Sequence, residues 1–396
     1  MNNKNLKLKV ALLSCFLVTA SMNAITGNIP EMAKTFTTVP LYVVELISTL
    51  PSLFQMIAIL LGRFISKKIG YKNTVLLGIL LCGIGGIIPI YIQNIYVILF
   101  TRGVFRFGVG MITATLLTLF IYFFDGDTRS TMIGLQGSIG GVGSFLSTFI
   151  AGQLLVYGWN VSFYAYFIAF IILLVVVAFV PTVNREDVIN TSITIENDGN
   201  KLHGKAMLKM LFYTGLMFIS MSLSTLYIVK ASTLITTLGY GTVQDGSTVI
   251  MLISIGSLCS GAVYGKIVSK INKLSLPLFY SILIVACILA GISDTLVITL
   301  ISGFLLGFGL MAFVPYFLEI IHQEFAQYGE VATSIILVGQ SLGAFMSPYL
   351  GSVLGMFTSV TGVFMLMAIL FGVLTLISLV LVKQARKSKV VVQMST

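Results

Sequence analysis

Apolar runs of roughly 20 residues, each closed by a short polar break, recur along the whole chain at 8–28, 41–61, 74–93, 95–123, 131–154 and 161–180. Six more follow at 207–229, 246–266, 275–293, 296–318, 332–354 and 358–382. Each is long enough to cross the roughly 30 Å hydrocarbon core of a bilayer as a helix. None shows the alternation of lipid-facing and lumen-facing residues that marks the strands of a membrane barrel. The pattern therefore predicts an all-α, polytopic membrane protein with twelve transmembrane helices.

One long polar segment, PTVNREDVINTSITIENDGNKLHGK from Pro181 to Lys205, interrupts the series. It divides the chain into a six-helix bundle at 1–180, a linker at 181–206, a second six-helix bundle at 207–382 and a basic tail at 383–396. The halves repeat one another. At an offset of 203, GRFISKK from Gly62 falls on GKIVSKI from Gly265, and GSIGGVGSFLS from Gly137 falls on QSLGAFMSPYL from Gln340. In the fourth span the register shifts to 199, where FGVGM from Phe107 faces LGFGL from Leu306. Shared turns and glycine faces at a fixed period point to duplication, hence to two pseudo-symmetric bundles.

Composition agrees: 57% of the residues are hydrophobic and 9% charged, and the mean hydropathy is +1.04, which excludes a water-soluble domain. The net charge of +10 gives no reason to invoke nucleic acid. With the N-terminus inside, nineteen of the 23 Lys and Arg fall in cytoplasmic segments, Lys34 and Lys230 fall outside, and Arg102 and Arg106 fall within the membrane. That is the positive-inside distribution, and it puts both termini in the cytoplasm of a multi-pass protein of the inner (cytoplasmic) membrane. Cys15, Cys82, Cys259 and Cys287 all lie in spans and read as free thiols. No metal-ligand spacing, phosphate loop or cofactor signature is present, and no His, Asp or Cys constellation at membrane depth supports an enzyme.

The two arginines are the sharpest candidates. Counting 1.5 Å per residue from Ile95, Arg102 lies about 10 Å and Arg106 about 16 Å into the membrane, on one helical face. Facing lipid each would cost at least about 3 kcal/mol, so both must face protein or a wet cavity. Arg102 reads equally as a brace on backbone carbonyls of the first two spans; Arg106 reads as an anchor for an anionic group or a coupling residue. At the offset of 199 their counterparts are Ile301 and Leu305. Glu45, the carboxylate well inside span two, is either a partner for Arg102 or a residue reaching interfacial water. Asn23 and Asn28 in span one, Gln136 in span five and Gln340 in span eleven either line a cavity or bond between helices. Tyr213, Ser220, Ser224 and Tyr227 recur at helical spacing in span seven and are expected to line the cavity.

Three stretches resemble the major facilitator superfamily of secondary transporters. GRFISKKIGYKN is similar to the loop between the family's second and third helices, with Gly62, Lys68, Gly70 and Lys72 in place and Ser66 or Lys67 where an aspartate is usual. R-x5-G-x-G from Arg102 to Gly110 is similar to its fourth-helix motif, and GLQGSIGGVGSF to its fifth, without the Gly-Pro pair of many antiporters. The resemblance implies a central site between two halves that tilt to expose it to each face in turn. Together these readings predict a monomeric, proton-coupled secondary transporter that exports hydrophobic or amphipathic small molecules from a cavity of Phe, Met and Tyr. The alternative is a proton-coupled importer of a small organic anion held by Arg102 and Arg106. Bilayer lipid, protons and a small-molecule substrate are the expected partners.

Overall fold

The described residues of each predicted apolar window are mostly helical in the computed structural model, which describes residues 3–124, 126–183, 204–271, 274–311, 313–325 and 329–394. In the first half, α1 (Asn3–Ala20) continues through two short 3-10 turns, Ser21–Asn23 and Thr26–Asn28, into α2 (Ile29–Thr35). Next come α3 (Leu41–Thr49) and α4 (Pro51–Ile69), in line but jointed at Pro51, whose missing N–H suits the first turn of a helix. Then follow α5 (Tyr71–Tyr91), α6 (Ile95–Phe123), α7 (Gly126–Leu154) and α8 (Ile168–Phe179). The second half holds α9 (Lys205–Leu238), α10 (Val243–Ile271), α11 (Ser275–Gly291), α12 (Leu296–Leu310), α13 (Phe313–Glu324), α14 (Gly329–Gly355) and α15 (Val360–Met394).

Local chemistry sets the ends. The Asn94 side chain accepts hydrogen bonds from the backbone N–H of Tyr96 and Val97, at 3.0 and 3.3 Å, and so starts α6. Gly239, left-handed at φ 75°, stops α9, and Gly70, at φ 93°, turns the chain between α4 and α5.

Among the described residues ten helices are long and apolar enough to cross a membrane. The two remaining windows are filled by α11, 17 residues long, and by α14, whose sequence is rich in glycine, serine and other polar residues. The expected division at 181–206 falls largely on residues 184–203, which lie outside the described set. α15 runs on without a break to Met394, through the basic tail expected at 383–396. Its KQARKSK stretch is built of good helix formers, so nothing there ends the helix.

Each half buries its own core, Phe16, Phe105, Phe120 and Phe163 in the first and Phe313, Phe317, Phe364 and Phe371 in the second. Within the halves, glycines let helices meet backbone to backbone. A Cβ at Gly108 would overlap the carbonyl of Gly78, and one at Gly309 would lie 3.2 Å from the carbonyl of Phe279; the second pair is the first shifted by 201 residues. Gly85 beside the Thr101 carbonyl and Ala286, whose carbonyl accepts from Ser302, are related by the same 201. The fourth spans therefore correspond at 201, which corrects the register of 199. The counterparts of Arg102 and Arg106 are Gly303 and Gly307, not Ile301 and Leu305. Gly307 packs directly on the carbonyl of Ile253 in α10, where no side chain fits.

One end of the bundle is basic, with Lys67, Lys68, Lys266 and Lys270, and the distal end carries Glu31, Lys34, Asp245 and Asp294. From mid-depth to the distal end the halves are in contact. Ser144 and Ser254 share a hydrogen bond of 2.8 Å, Ser232 donates to the Gly27 carbonyl at 2.7 Å, and the rings of Tyr42 and Tyr349 lie 6.1 Å apart. Gly27 and Gly152 both abut Ser247.

Candidate functional site

Arg102 and Arg106 leave α6 one turn apart and do different things. Arg102 is 1% exposed, its Nη2 donates to the Met22 carbonyl at 2.8 Å, and its guanidinium lies over the rings of Phe105 and Tyr166 at 4.8 and 4.9 Å. Met22 sits in the 3-10 turn where span one is broken, so its carbonyl needs a donor that the helix does not supply. Arg102 is thus a brace across the first half, one of its two expected readings. Replacing it by Met is expected to lower the melting temperature of the detergent-solubilised protein by several degrees, since a carbonyl in the core loses its partner. A melting curve unchanged from wild type would contradict that role.

Arg106 is 7% exposed, and its Nη1 donates to Oε1 of Gln55 on α4. Nε of Arg106, like Nε and Nη1 of Arg102, has no hydrogen-bond partner among the described residues, and none of their carboxylates pairs with either guanidinium. Gln55 was missed in the sequence. The signal was there, because Glu45, Ser48, Ser52 and Gln55 follow one another at three or four residues along one face of α3 and α4.

Glu45 does not meet Arg102. It is 1% exposed and its Oε1 lies 2.6 Å from Nζ of Lys230, a residue of the other half. Lys230 is therefore not in an outer loop: α9 continues past it to Leu238, and its side chain is 15% exposed. The charge ended the apolar window at 229, but a buried carboxylate on the facing helix compensates it.

The hydroxyl face of span seven does not line a cleft either. Ser220 bonds to the Tyr280 hydroxyl at 2.6 Å, Tyr227 to Ser302, Ser224 to the carbonyl of Ser220 at 2.8 Å, and Tyr213 meets the ring of Phe325 edge-on. All four are buried in the core of the second half, where hydroxyls satisfy one another across α9, α11 and α12. Asn23, Gln136 and Gln340 are half-buried. Asn28 is fully buried, with neither amide atom bonded among the described residues. At the basic end a cavity of about 320 Å³ opens between α1 and α7, lined by Leu6, Lys9, Val10, Leu13, Met132 and Leu135.

Around the turn at Gly70, Gly62 on α4 packs against Ala114, Lys68 at the end of α4 is exposed, and Lys72 at the start of α5 donates to the Val177 carbonyl at 3.1 Å, tying this turn to the end of α8. No group of three or more metal-ligating side chains occurs among the described residues.

The human organic anion transporter MFSD10 has a similar fold, with a TM-score of 0.68, 13% identity, and coverage of 96% of this chain and 100% of that one. A point mutant of the nucleoside transporter NupG gives a TM-score of 0.72 at 13% identity, covering 95% and 99%. No curated protein matches the sequence. The family model of the Major Facilitator Superfamily matches residues 11–336, most of the chain, and carries the sequence resemblance into an assignment. With two glycine-packed halves joined along a polar seam, this is a membrane transporter, not an enzyme, and the chain belongs to the Major Facilitator Superfamily.

Proposed function

We propose that the protein carries small organic anions by alternating access, as a monomer whose two halves lie in one chain, and that Arg106 receives the anionic group. One observation carries this: Arg106 is buried with a neutral amide as its hydrogen-bonded acceptor, at the position where the second half has Gly307. A guanidinium withdrawn from water without a counter-charge is costly. A carboxylate or phosphonate arriving there supplies both the charge and the pair of oxygens that a guanidinium fork fits.

The expectation of hydrophobic cargo rested on the scarcity of charge within the spans. Glu45 in the first half's interior is paired with Lys230, whereas the two buried arginines, four residues apart, have no carboxylate partner among the described residues, which favours the anionic alternative. One solved neighbour is described as an organic anion transporter and the other as a nucleoside transporter, but at 13% identity each speaks for the fold alone. On the positive-inside rule the basic end faces the cytoplasm, so both termini do too, in the cytoplasmic membrane.

Thermal melting of the purified protein tests the reading. A panel of mono- and dicarboxylates is expected to contain members that raise the melting temperature of the wild type and not of Arg106→Gln. Stabilisation by tetraphenylphosphonium and by no carboxylate would overturn it in favour of lipophilic cargo.

A further inference from the structure

Glu45 and Lys230 belong to different halves, and they meet where the distal ends of those halves close on each other. The carboxylate uses one oxygen for Lys230; its Oε2 is buried and has no partner among the described residues. One turn along α3, the Thr49 hydroxyl is also fully buried and without a partner there. Lys230 is thus the cation tethered to a buried carboxylate that still has one oxygen unused.

On the alternating-access reading, opening the distal end carries Lys230 away with the second half and leaves Glu45 on the first. The surrounding seam is held by a hydroxyl pair, a hydroxyl-to-carbonyl bond and a ring contact, with Val229 of the second half seated in the first half's core, so parting it withdraws apolar side chains such as Val229 and leaves the rest of each core in place. A carboxylate stripped of its ammonium in such surroundings needs another cation. Carboxylate oxygens are hard donors, suited to a proton or an alkali cation rather than a soft metal.

We propose that Glu45 is a monovalent-cation site that Lys230 fills while the distal end is closed and that an external proton or sodium ion fills when it opens. Other charged groups on the packed elements are engaged elsewhere or far away. Glu31 and Lys34 on α2 pair with each other at 3.0 Å, and Arg102 and Arg106 on α6 bond to Met22 and Gln55. Lys67 and Lys68 lie at the basic end of α4, and α14 brings Tyr349 to Tyr42.

The test is the rate at which a membrane-impermeant maleimide labels Thr49→Cys in intact cells, in the Cys259→Ser background. Slow labelling is expected at neutral external pH. If the proton is the ion, labelling accelerates as the outside is acidified, by up to about tenfold per pH unit, the limit for one proton. If sodium is the ion, added sodium accelerates it at fixed pH where choline does not. Glu45→Gln is expected to label fast and to ignore both ions, and the charge-swapped double variant Glu45→Lys with Lys230→Glu to return to slow labelling. The proposal falls if neither ion changes the rate, or if the response persists in Glu45→Gln protein that elutes as a folded species. No substrate enters this assay, so its failure leaves anion binding at Arg106 standing, and a failure of anion binding leaves this site standing.

Discussion

Arg106→Gln protein reconstituted into liposomes is expected to show no carrier-mediated anion flux while eluting as the same species as the wild type. A charge-assisted hydrogen bond contributes about 1.5–3 kcal/mol, roughly 10- to 150-fold in binding, and a forked pair to one carboxylate engages two such bonds. Arg106→Lys keeps the charge and loses the fork, so it is expected to retain a reduced flux. Stability should move the other way. In the unloaded protein the guanidinium is buried against a single neutral amide, and removing such a charge relieves desolvation. The pairing of lost flux with an undiminished melting temperature separates Arg106 from Arg102, whose loss is expected to lower the melting temperature. Flux equal to wild type in Arg106→Gln would end the functional case for the residue.

Gly307→Val is expected to yield almost no folded protein, the largest effect on stability among these changes. Overpacking a core costs about 1–3 kcal/mol when neighbouring side chains can shift. Here the added Cβ meets the carbonyl of Ile253, part of the backbone of α10, and relief requires α10 and α12 to move apart. Protein interiors are packed too densely to absorb such a displacement locally. Gly215→Val is the matched control, because nothing lies within 4 Å of a Cβ there. Size-exclusion profiles of the two fluorescently tagged variants check the contrast; a sharp peak at the wild-type volume for Gly307→Val would refute the close-approach account.

The spans were legible in the sequence because burial in lipid demands about 20 apolar residues in succession, a signal that needs no partner. The duplication was legible too, but not its fine register. FGVGM and LGFGL superpose glycine on glycine at 199, whereas the contacts equate Gly108 with Gly309 through Gly78 and Phe279. Letters do not say which neighbouring helix each glycine touches. Span seven failed for a similar reason. Helical spacing of Tyr213, Ser220, Ser224 and Tyr227 shows that one polar face turns toward protein, and the same spacing serves a cleft or a neighbour such as Tyr280. Glu45 and Lys230 are 185 residues apart, and no periodicity connects two single charges at that distance. For Arg102 the 3-10 turn at Ser21–Asn23 explains the brace, and no residue there marks a break in the sequence.

If the cargo is the proposed anion, two guanidinium groups fixed in the protein make its empty and loaded forms respond differently to voltage. On the proposed reading the unloaded protein holds the two guanidinium charges inside the membrane field, beside a Glu45–Lys230 pair that adds no net charge, and a bound dicarboxylate cancels them. Each charge that shifts across the full field is worth about 2.3 kcal/mol per 100 mV. On that reading an inside-negative potential acts on the return of the empty carrier and spares the step that moves a divalent cargo, so anion flux is expected to respond to polarisation through the vacant half-cycle.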